Sequence, residues 1–534
     1  MTSTRLLIAA ALLVGTSAAL PAAISDPIRT DAGLISGTTQ QGVRVYKGIP
    51  FGAPPVGPLR FTDPQPVAKW EGVRKADQYG DVCVQPHQPN RKPNNVSVDL
   101  PDSPKMSEDC LYLNVWTDAR SASEKRPVMV WIFGGAYTEG AGSSPHNEGW
   151  ALAKKGVVVV TINYRLGPFG FFSHPELDKE SVHGASGNQA VGDCIAALRW
   201  VQRNIAAFGG DPTNVTIFGE SAGSALSAGL VGTPMARGLF QRAISESGAW
   251  MGLTMAPMRT RQQAEQQTPG RGSAPPTPIP SLAALRAMST DEISRTVRGA
   301  GMIADGYWIP EDESITFAEG RQNPVDILIG SNKDEGAFVR QGPTADQWIR
   351  RVKARWGDLA EDYLKLYPAG NDAEAAKSSE ASFRDEMYWH MRLYAIAQSK
   401  LGRKAWQYYF TYEPPPMAGM PNMRAVHTAE IPYVFNNLKP PRVYPDDSDP
   451  DVVSKSKSDI EFADQVSSYW VNFARTGDPN GKGLPKWPQF RDKATGKAMV
   501  LGPAAEPPDP ARMVLYDRLY ERQMATLKKS TGTR

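Results

Sequence analysis

Val215-Thr216-Ile217-Phe218-Gly219-Glu220-Ser221-Ala222-Gly223 reads as a strand that turns sharply into a helix. The residues before Gly219 are apolar and β-branched enough for a buried strand, and the Ala and Leu residues after Gly223 suit a helix. A G-x-S-x-G in that setting is a nucleophile elbow: the small end residues permit a strained turn that lifts the serine oxygen above a sheet. Alone the pentapeptide is a weak signal, because Gly/Ser turns are common. Its meaning depends on partners found elsewhere in the chain.

Outward from the elbow, near-continuous apolar runs at 128–133, 157–163, 215–218, 327–330 and 406–412 alternate with helical patterns such as 190–204 and 460–474. Strands of this kind are buried on both faces, which predicts a large, mainly parallel central sheet covered by helices on both faces, an α/β architecture. The stretch 259–280 is rich in Gln, Pro, Gly and Ser and reads as an exposed insertion, with a helical pattern following at 281–298. Strand-like segments resume beyond it with the same character. One sheet is therefore expected to run through both halves, giving a single domain from residue 24 to 534.

At 534 residues, 41% hydrophobic and 22% charged, the chain can bury a large core. A net charge of +3 with no basic stripe among aromatics argues against a nucleic-acid partner. Arg5, the apolar run 6–20 and the small residues Ala18, Ala19, Ala22 and Ala23 have the pattern of a secretory signal, 1–23, and hence of export to the periplasm or medium. No later run is long and apolar enough to span a membrane. Of the three cysteines, Cys194 sits in an amphipathic helical pattern and reads as a buried thiol. Cys83 and Cys110 bracket a polar, proline-rich segment, and export makes a bridge between them plausible. Such a bridge would stabilise the fold by about 3 to 4 kcal/mol. No cysteine or histidine spacing suggests a metal site.

A serine hydroxyl needs a base, and the base needs a group that fixes its orientation. With the nucleophile first in the chain order of a strand–elbow–helix enzyme, the base must follow Ser221. His87, His146, His174 and His183 precede it in polar, loop-like settings. His390 follows it inside a helical pattern and reads as packing. His427, in Arg424-Ala425-Val426-His427-Thr428, lies on a loop beyond a strand and is the candidate base. Two carboxylates, Asp334 and Glu335, follow the strand 327–330, and spacing does not choose between them. Phe133-Gly134-Gly135-Ala136-Tyr137 ends another strand and supplies small-residue amides for an oxyanion site, with the Ala222 amide beside the serine.

Together these segments resemble the type-B carboxylesterase family, which includes cholinesterases and bacterial p-nitrobenzyl esterases. The likeness runs from Tyr46-Lys47-Gly48-Ile49-Pro50-Phe51 and Pro54-Pro55-Val56-Gly57-Pro58-Leu59-Arg60-Phe61 through Ser107-Glu108-Asp109-Cys110-Leu111-Tyr112-Leu113-Asn114-Val115. It continues in Phe208-Gly209-Gly210-Asp211-Pro212 and the elbow, and closes with 470–479 and Leu484-Pro485-Lys486-Trp487-Pro488. The resemblance implies an α/β-hydrolase fold and a serine carboxylic-ester hydrolase working through an acyl-enzyme on small to medium esters, with no cofactor and no metal. It implies Ser221 as nucleophile, Glu335 rather than Asp334 as acid, His427 as base, the amides of Gly135, Ala136 and Ala222 as oxyanion donors, and Cys83–Cys110 as the family's first disulfide. Leu100 stands where cholinesterases carry a tryptophan for their cationic ester, so a choline ester is not expected. Phe133 and Ala136 depart from the histidine or tyrosine and the third glycine of many members. Phe133, Tyr137, Trp250 and Phe338 read either as the lining of an apolar pocket or as core, and Arg340 reads as a solvated arginine in preference to a contact for anionic esters.

The competing reading is a catalytically inactive, esterase-like binding or adhesion module. Such relatives lack the serine or one of its partners, and here every required residue type is present. A histidine base would make kcat/KM rise with pH through about 6 to 7.

Overall fold

A computed structural model of the chain describes residues 24, 26–86, 104–252, 255–266, 279–338, 342–413, 424–438, 456–492 and 496–531. The expected signal at 1–23, His87, Leu100, Arg340 and most of the proline-rich insertion lie outside the described residues, as does the side chain of Phe338.

Ten strands form the main sheet: β1 (Thr38–Gln40), β2 (Val43–Pro50), β3 (Tyr112–Thr117), β4 (Arg126–Ile132), β5 (Val158–Ile162), β6 (Gly210–Glu220), β7 (Arg242–Glu246), β8 (Asp326–Asn332), β9 (Ala405–Phe410) and β10 (Met499–Leu501). Their spatial order is β10-β9-β8-β7-β6-β4-β5-β3-β2-β1. The seven from β10 to β5 are mutually parallel, and β3, β2 and β1 continue antiparallel at one edge. Every residue of β5 and of β9 is buried. Because successive side chains point to opposite faces, both faces of these strands are covered.

The covering helices follow from amphipathic or uniformly small sequences. In α1 (Gln189–Asn204) only Ala196, Arg199, Gln202 and Arg203 escape burial. By contrast α2 (Ala222–Gly232), built of Ala, Gly, Ser, Leu and Val, is buried on all sides and packs on β6 and β7. The short helix α3 (Glu313–Ala318) rests on α2, while α4 (Asp372–Lys400) lies along β8 and β9. Helix α5 (Lys457–Thr476) reaches β4 and β6, and stops where Gly477, with φ 75°, donates its amide to the Phe473 carbonyl.

Residues 281–298 form two short helices, Leu282–Ala287 and Thr290–Thr296, because Ser289 interrupts the pattern and caps the second with its side chain. They close a satellite core of Phe61, Phe169, Phe172, Leu177, Leu282, Leu285, Ile293 and Val297. The start of the expected insertion is structured: Arg259–Thr260 pairs with Ile303–Ala304, and Arg261–Glu265 is a helix that buries Ala264. Cys83 and Cys110 are bonded, with their Cα atoms 5.0 Å apart, and Cys194 is a buried free thiol.

Candidate active site

Strand β6 ends at Glu220 and α2 begins at Ala222, so Ser221 alone makes the turn. It does so at φ 56° and ψ −121°, a region that costs a non-glycine residue about 1–3 kcal/mol. Two main-chain bonds hold it there: its amide donates to the Glu246 carbonyl at 2.8 Å, and its carbonyl accepts from Ala225 at 2.9 Å. The flanking glycines are needed because the end of β4 crosses directly against them. A Cβ on Gly219 would come within 2.5 Å of the Ile132 carbonyl oxygen, and one on Gly223 would overlap the carbonyls of Ile132 and Phe133.

The same contact brings the loop after β4 to the serine. A Cβ on Gly134 would stand 2.8 Å from the Glu220 carboxylate and 3.0 Å from the Ser221 Cβ. Gly135, Ala136 and Tyr137 follow with φ of 101°, 53° and 63°, and a tight turn of this kind makes successive amides converge. Ala222 opens a helix, whose first amides have no acceptor within the helix.

On the other side of the elbow stands His427. Its Nδ1 is 2.6 Å from Glu335 Oε2, and its Nε2 is 3.1 Å from an oxygen of Glu220, the residue preceding Ser221. Glu335 is fully buried, and its other oxygen accepts from Ser247 Oγ at 2.5 Å and from the Asn332 amide at 2.8 Å. Asp334 has different work. It accepts the Ala425 amide at 3.1 Å, donates its own amide to the Ala425 carbonyl and pairs with Arg424, so it fixes the loop carrying His427. The two adjacent carboxylates, inseparable by spacing, are thus separated by direction.

Burial opposes a charged imidazole, yet Glu220 and Glu335, aided by Glu430, overcome it and push His427 up to about 10. The direction is upward from the range of 6 to 7 expected from sequence. Glu430 is itself raised to about 8 by burial and by Glu220 and Glu335, while Asn332 Nδ2 donates to it at 2.5 Å. Glu246, at the end of β7, is raised by burial and by Glu430 although Trp470 Nε1 donates to it at 2.7 Å.

Sequence reasoning missed Ser247, Asn332, Glu246 and Glu430. The available signal for Asn332 was the run of polar residues 331–335 ending an apolar strand, at the carboxyl end of the sheet where the elbow also lies. His390 is buried in α4, edge-on to Trp250, and burial lowers it to about 3. His146 and His174 are buried rather than in open loops. Phe133 and Trp250 are core residues, stacked on Tyr164 and Phe317, and only Tyr137 of the described pocket candidates is partly accessible. Among the described residues no group of three or more His, Cys, Asp or Glu could hold a metal ion, and no helix is long and apolar enough to cross a membrane.

An elbow serine, a loop of convergent amides and a histidine bonded to a buried glutamate define a serine hydrolase class on an α/β-hydrolase sheet. Residues 25–513 match the model of the carboxylesterase family, and the chain belongs to that family. It is 35% identical over 511 residues to a fumonisin B1 esterase of Sphingopyxis macrogoltabida, covering 92% of this chain and 89% of that one. To a para-nitrobenzyl esterase of Bacillus subtilis it is 35% identical over 495 residues, 89% and 94% of the two chains. A carboxylesterase structure from Geobacillus stearothermophilus superposes with a TM-score of 0.73 at 33% identity, covering 89% of this chain and 96% of that chain. The protein is a carboxylic ester hydrolase of a family characterised by a serine nucleophile.

Proposed function

We propose that Ser221 is the nucleophile, His427 the general base and Glu335 its acid partner, acting through an acyl-enzyme on small to medium carboxylic esters. The observation that carries this reading is the 2.6 Å contact of His427 Nδ1 with a buried Glu335, on the far side of an imidazole whose other face meets the elbow. His427 takes the Ser221 proton as Oγ attacks the ester carbonyl, Glu335 stabilises the imidazolium, and the amides of Gly135, Ala136 and Ala222 bind the oxyanion. The imidazolium then protonates the departing alcohol. Water, activated by the same base, releases the acid.

The family match over residues 25–513 supports one catalytic unit through most of 24–534, and the export signal at 1–23 rests on the sequence pattern alone. The buried Cys83–Cys110 bridge is compatible with export to an oxidising compartment, periplasmic or extracellular. The relatives are named for fumonisin B1, para-nitrobenzyl and cocaine esters, so the shared chemistry is the ester bond, and the rim selects the alcohol and acyl parts. Hydrolysis of a p-nitrophenyl acetate-type ester by Ser221→Ala should fall by about 10⁴-fold or more. Equal turnover by variant and parent would exclude the assignment and leave the inactive-module reading standing.

A further inference from the structure

Thr161 Oγ1, on β5, donates to the Gly142 carbonyl at 2.6 Å, and the loop bearing the Gly135 and Ala136 amides is fastened at four further points. Tyr164 Oη donates to the Phe133 carbonyl at 2.8 Å, the Gly167 amide donates to the Tyr137 carbonyl at 2.7 Å, and Asn163 Oδ1 accepts the Gly142 amide at 2.9 Å. These three come from one segment, the turn after β5. The fourth comes from elsewhere: Gln85 Oε1 accepts the Gly140 amide at 2.8 Å, and Gln85 Nε2 donates to the Gly140 carbonyl at 3.0 Å.

Gln85 is buried, so its bonds face little competition from water. Its second amide proton goes to the Cys83 carbonyl at 3.0 Å, and Cys83 is bridged to Cys110. The Cys110 carbonyl in turn accepts from Asn163 Nδ2 at 3.1 Å. The carbonyls of both bridged cysteines are therefore tied to the side chains that fasten this loop. Gly140 also touches what matters: it has φ 119°, and a Cβ there would lie 2.5 Å from the Phe133 ring and 2.9 Å from the Gly134 carbonyl. Gly134 stands directly against Ser221.

We infer that Gln85 is a positioning residue whose carboxamide sets the place of Gly140, and so the aim of the Gly135 and Ala136 amides, and links that aim to the Cys83–Cys110 bridge. It touches no reacting atom. The inference rests on Ser221 and the loop amides acting as stated under the proposed function. Its signature is a slower chemical step with little change in ester binding, since only the oxyanion, formed in the transition state, feels the amides.

The test uses the full-length enzyme and an aryl phosphonate, whose P=O oxygen occupies the oxyanion site as Ser221 Oγ displaces the phenolate. Rates are referred to titratable sites, so that unfolded protein does not count. Gln85→Met keeps length and bulk without donor or acceptor. It should phosphonylate about 10-fold or more slowly and lose kcat on an aryl ester by a similar factor, with KM within about 2-fold. The parent with its bridge reduced, verified by mass, should slow in the same way, and it serves as the decisive measurement where Gln85→Met yields no titratable sites. An unchanged phosphonylation rate per site in Gln85→Met or in the reduced parent overturns the inference, and so does a change carried by KM alone. A parent that is not labelled at Ser221 overturns the functional reading beneath it, a distinct outcome.

Discussion

The serine half and the histidine half of the site rest on different physics. Around Ser221 the fit is steric: Gly219, Gly223, Gly134 and Gly248 each bring main chain closer than any side chain allows, and none carries charge. Around His427 the fit is electrostatic: Glu220, Glu335 and Glu430 are buried beside one imidazole, and Asp334 with Arg424 holds its loop. The first half should therefore fail when an atom is added and ignore a change of charge. The second should fail when charge is removed even though shape is kept.

The largest effect that tests this contrast is Glu335→Gln, which changes no shape. Without the carboxylate the imidazolium loses its stabilising partner, and kcat/KM for a short aryl ester should fall by about 10²–10⁴. Asp334→Asn, one residue away, removes charge from a loop brace instead, and should cost about 10-fold or less. A larger loss at Asp334 would reverse the assignment of the two carboxylates. On the serine side Gly223→Ala adds one methyl and no charge. Either the β4–α2 contact opens or the elbow moves, and a displacement on the order of 1 Å should lower kcat by about 10². Retained activity in a crystal-verified Gly223→Ala enzyme would show that the steric half is looser than its contacts imply.

The same contrast explains what could be read from the sequence. The sheet, the elbow and the glycine loop were legible because apolar runs and closely spaced glycines are local signals: 215–223 states both the strand and the turn. The expected runs at 128–133, 157–163 and 327–330 coincide with β4, β5 and β8. The histidine half was only partly legible, because a buried charge cluster is assembled from the ends of four different segments. Glu335 and Asp334 look alike until the direction of each carboxylate is known. Ser247 and Glu246 sit at the end of β7, a strand whose Arg242-Ala243-Ile244-Ser245-Glu246 is too polar to stand out as buried. For Phe133 and Trp250 the sequence left pocket and core both open, and stacking on Tyr164 and Phe317 places both in the core.

A milder perturbation separates the charges of the histidine half from one another. Glu220 lies 3.1 Å from His427 Nε2 and favours the imidazolium. With the histidine raised to about 10, kcat/KM of the parent should still be climbing with pH above 7. In Glu220→Gln the neutral amide no longer favours the charged ring, so the midpoint of that climb should move down by about one pH unit or more. Superimposable pH profiles for parent and variant would mean that the serine-side carboxylate does not tune the base. The same linkage acts on stability. A histidine raised in the folded state contributes stability that is complete below about pH 6.5 and is lost as pH rises toward its folded value.

The smallest expected effect probes a carboxyl buried against the far end of α2. Glu313, on α3, packs beside Gly232 at the far end of α2, and neither of its oxygens has a hydrogen-bond partner among the described residues. Burial, with the nearby Asp312, pushes its carboxyl well above the ordinary range. A carboxyl raised on folding contributes most below its unfolded pKa, about 4.5, and destabilises the fold increasingly as pH rises toward the folded value. Glu313→Gln cannot ionise, so its melting temperature relative to the parent should improve between pH 5 and pH 8 by about 1–3 °C. Comparing the two pH values cancels any fixed packing difference between acid and amide. Turnover should stay within about 2-fold, because Glu313 packs against the Gly232 end of α2, the opposite end of that helix from Ser221. A difference in melting temperature that is the same at both pH values would mean that Glu313 finds a partner for its charge, and the steric half would then hold an electrostatic element of its own.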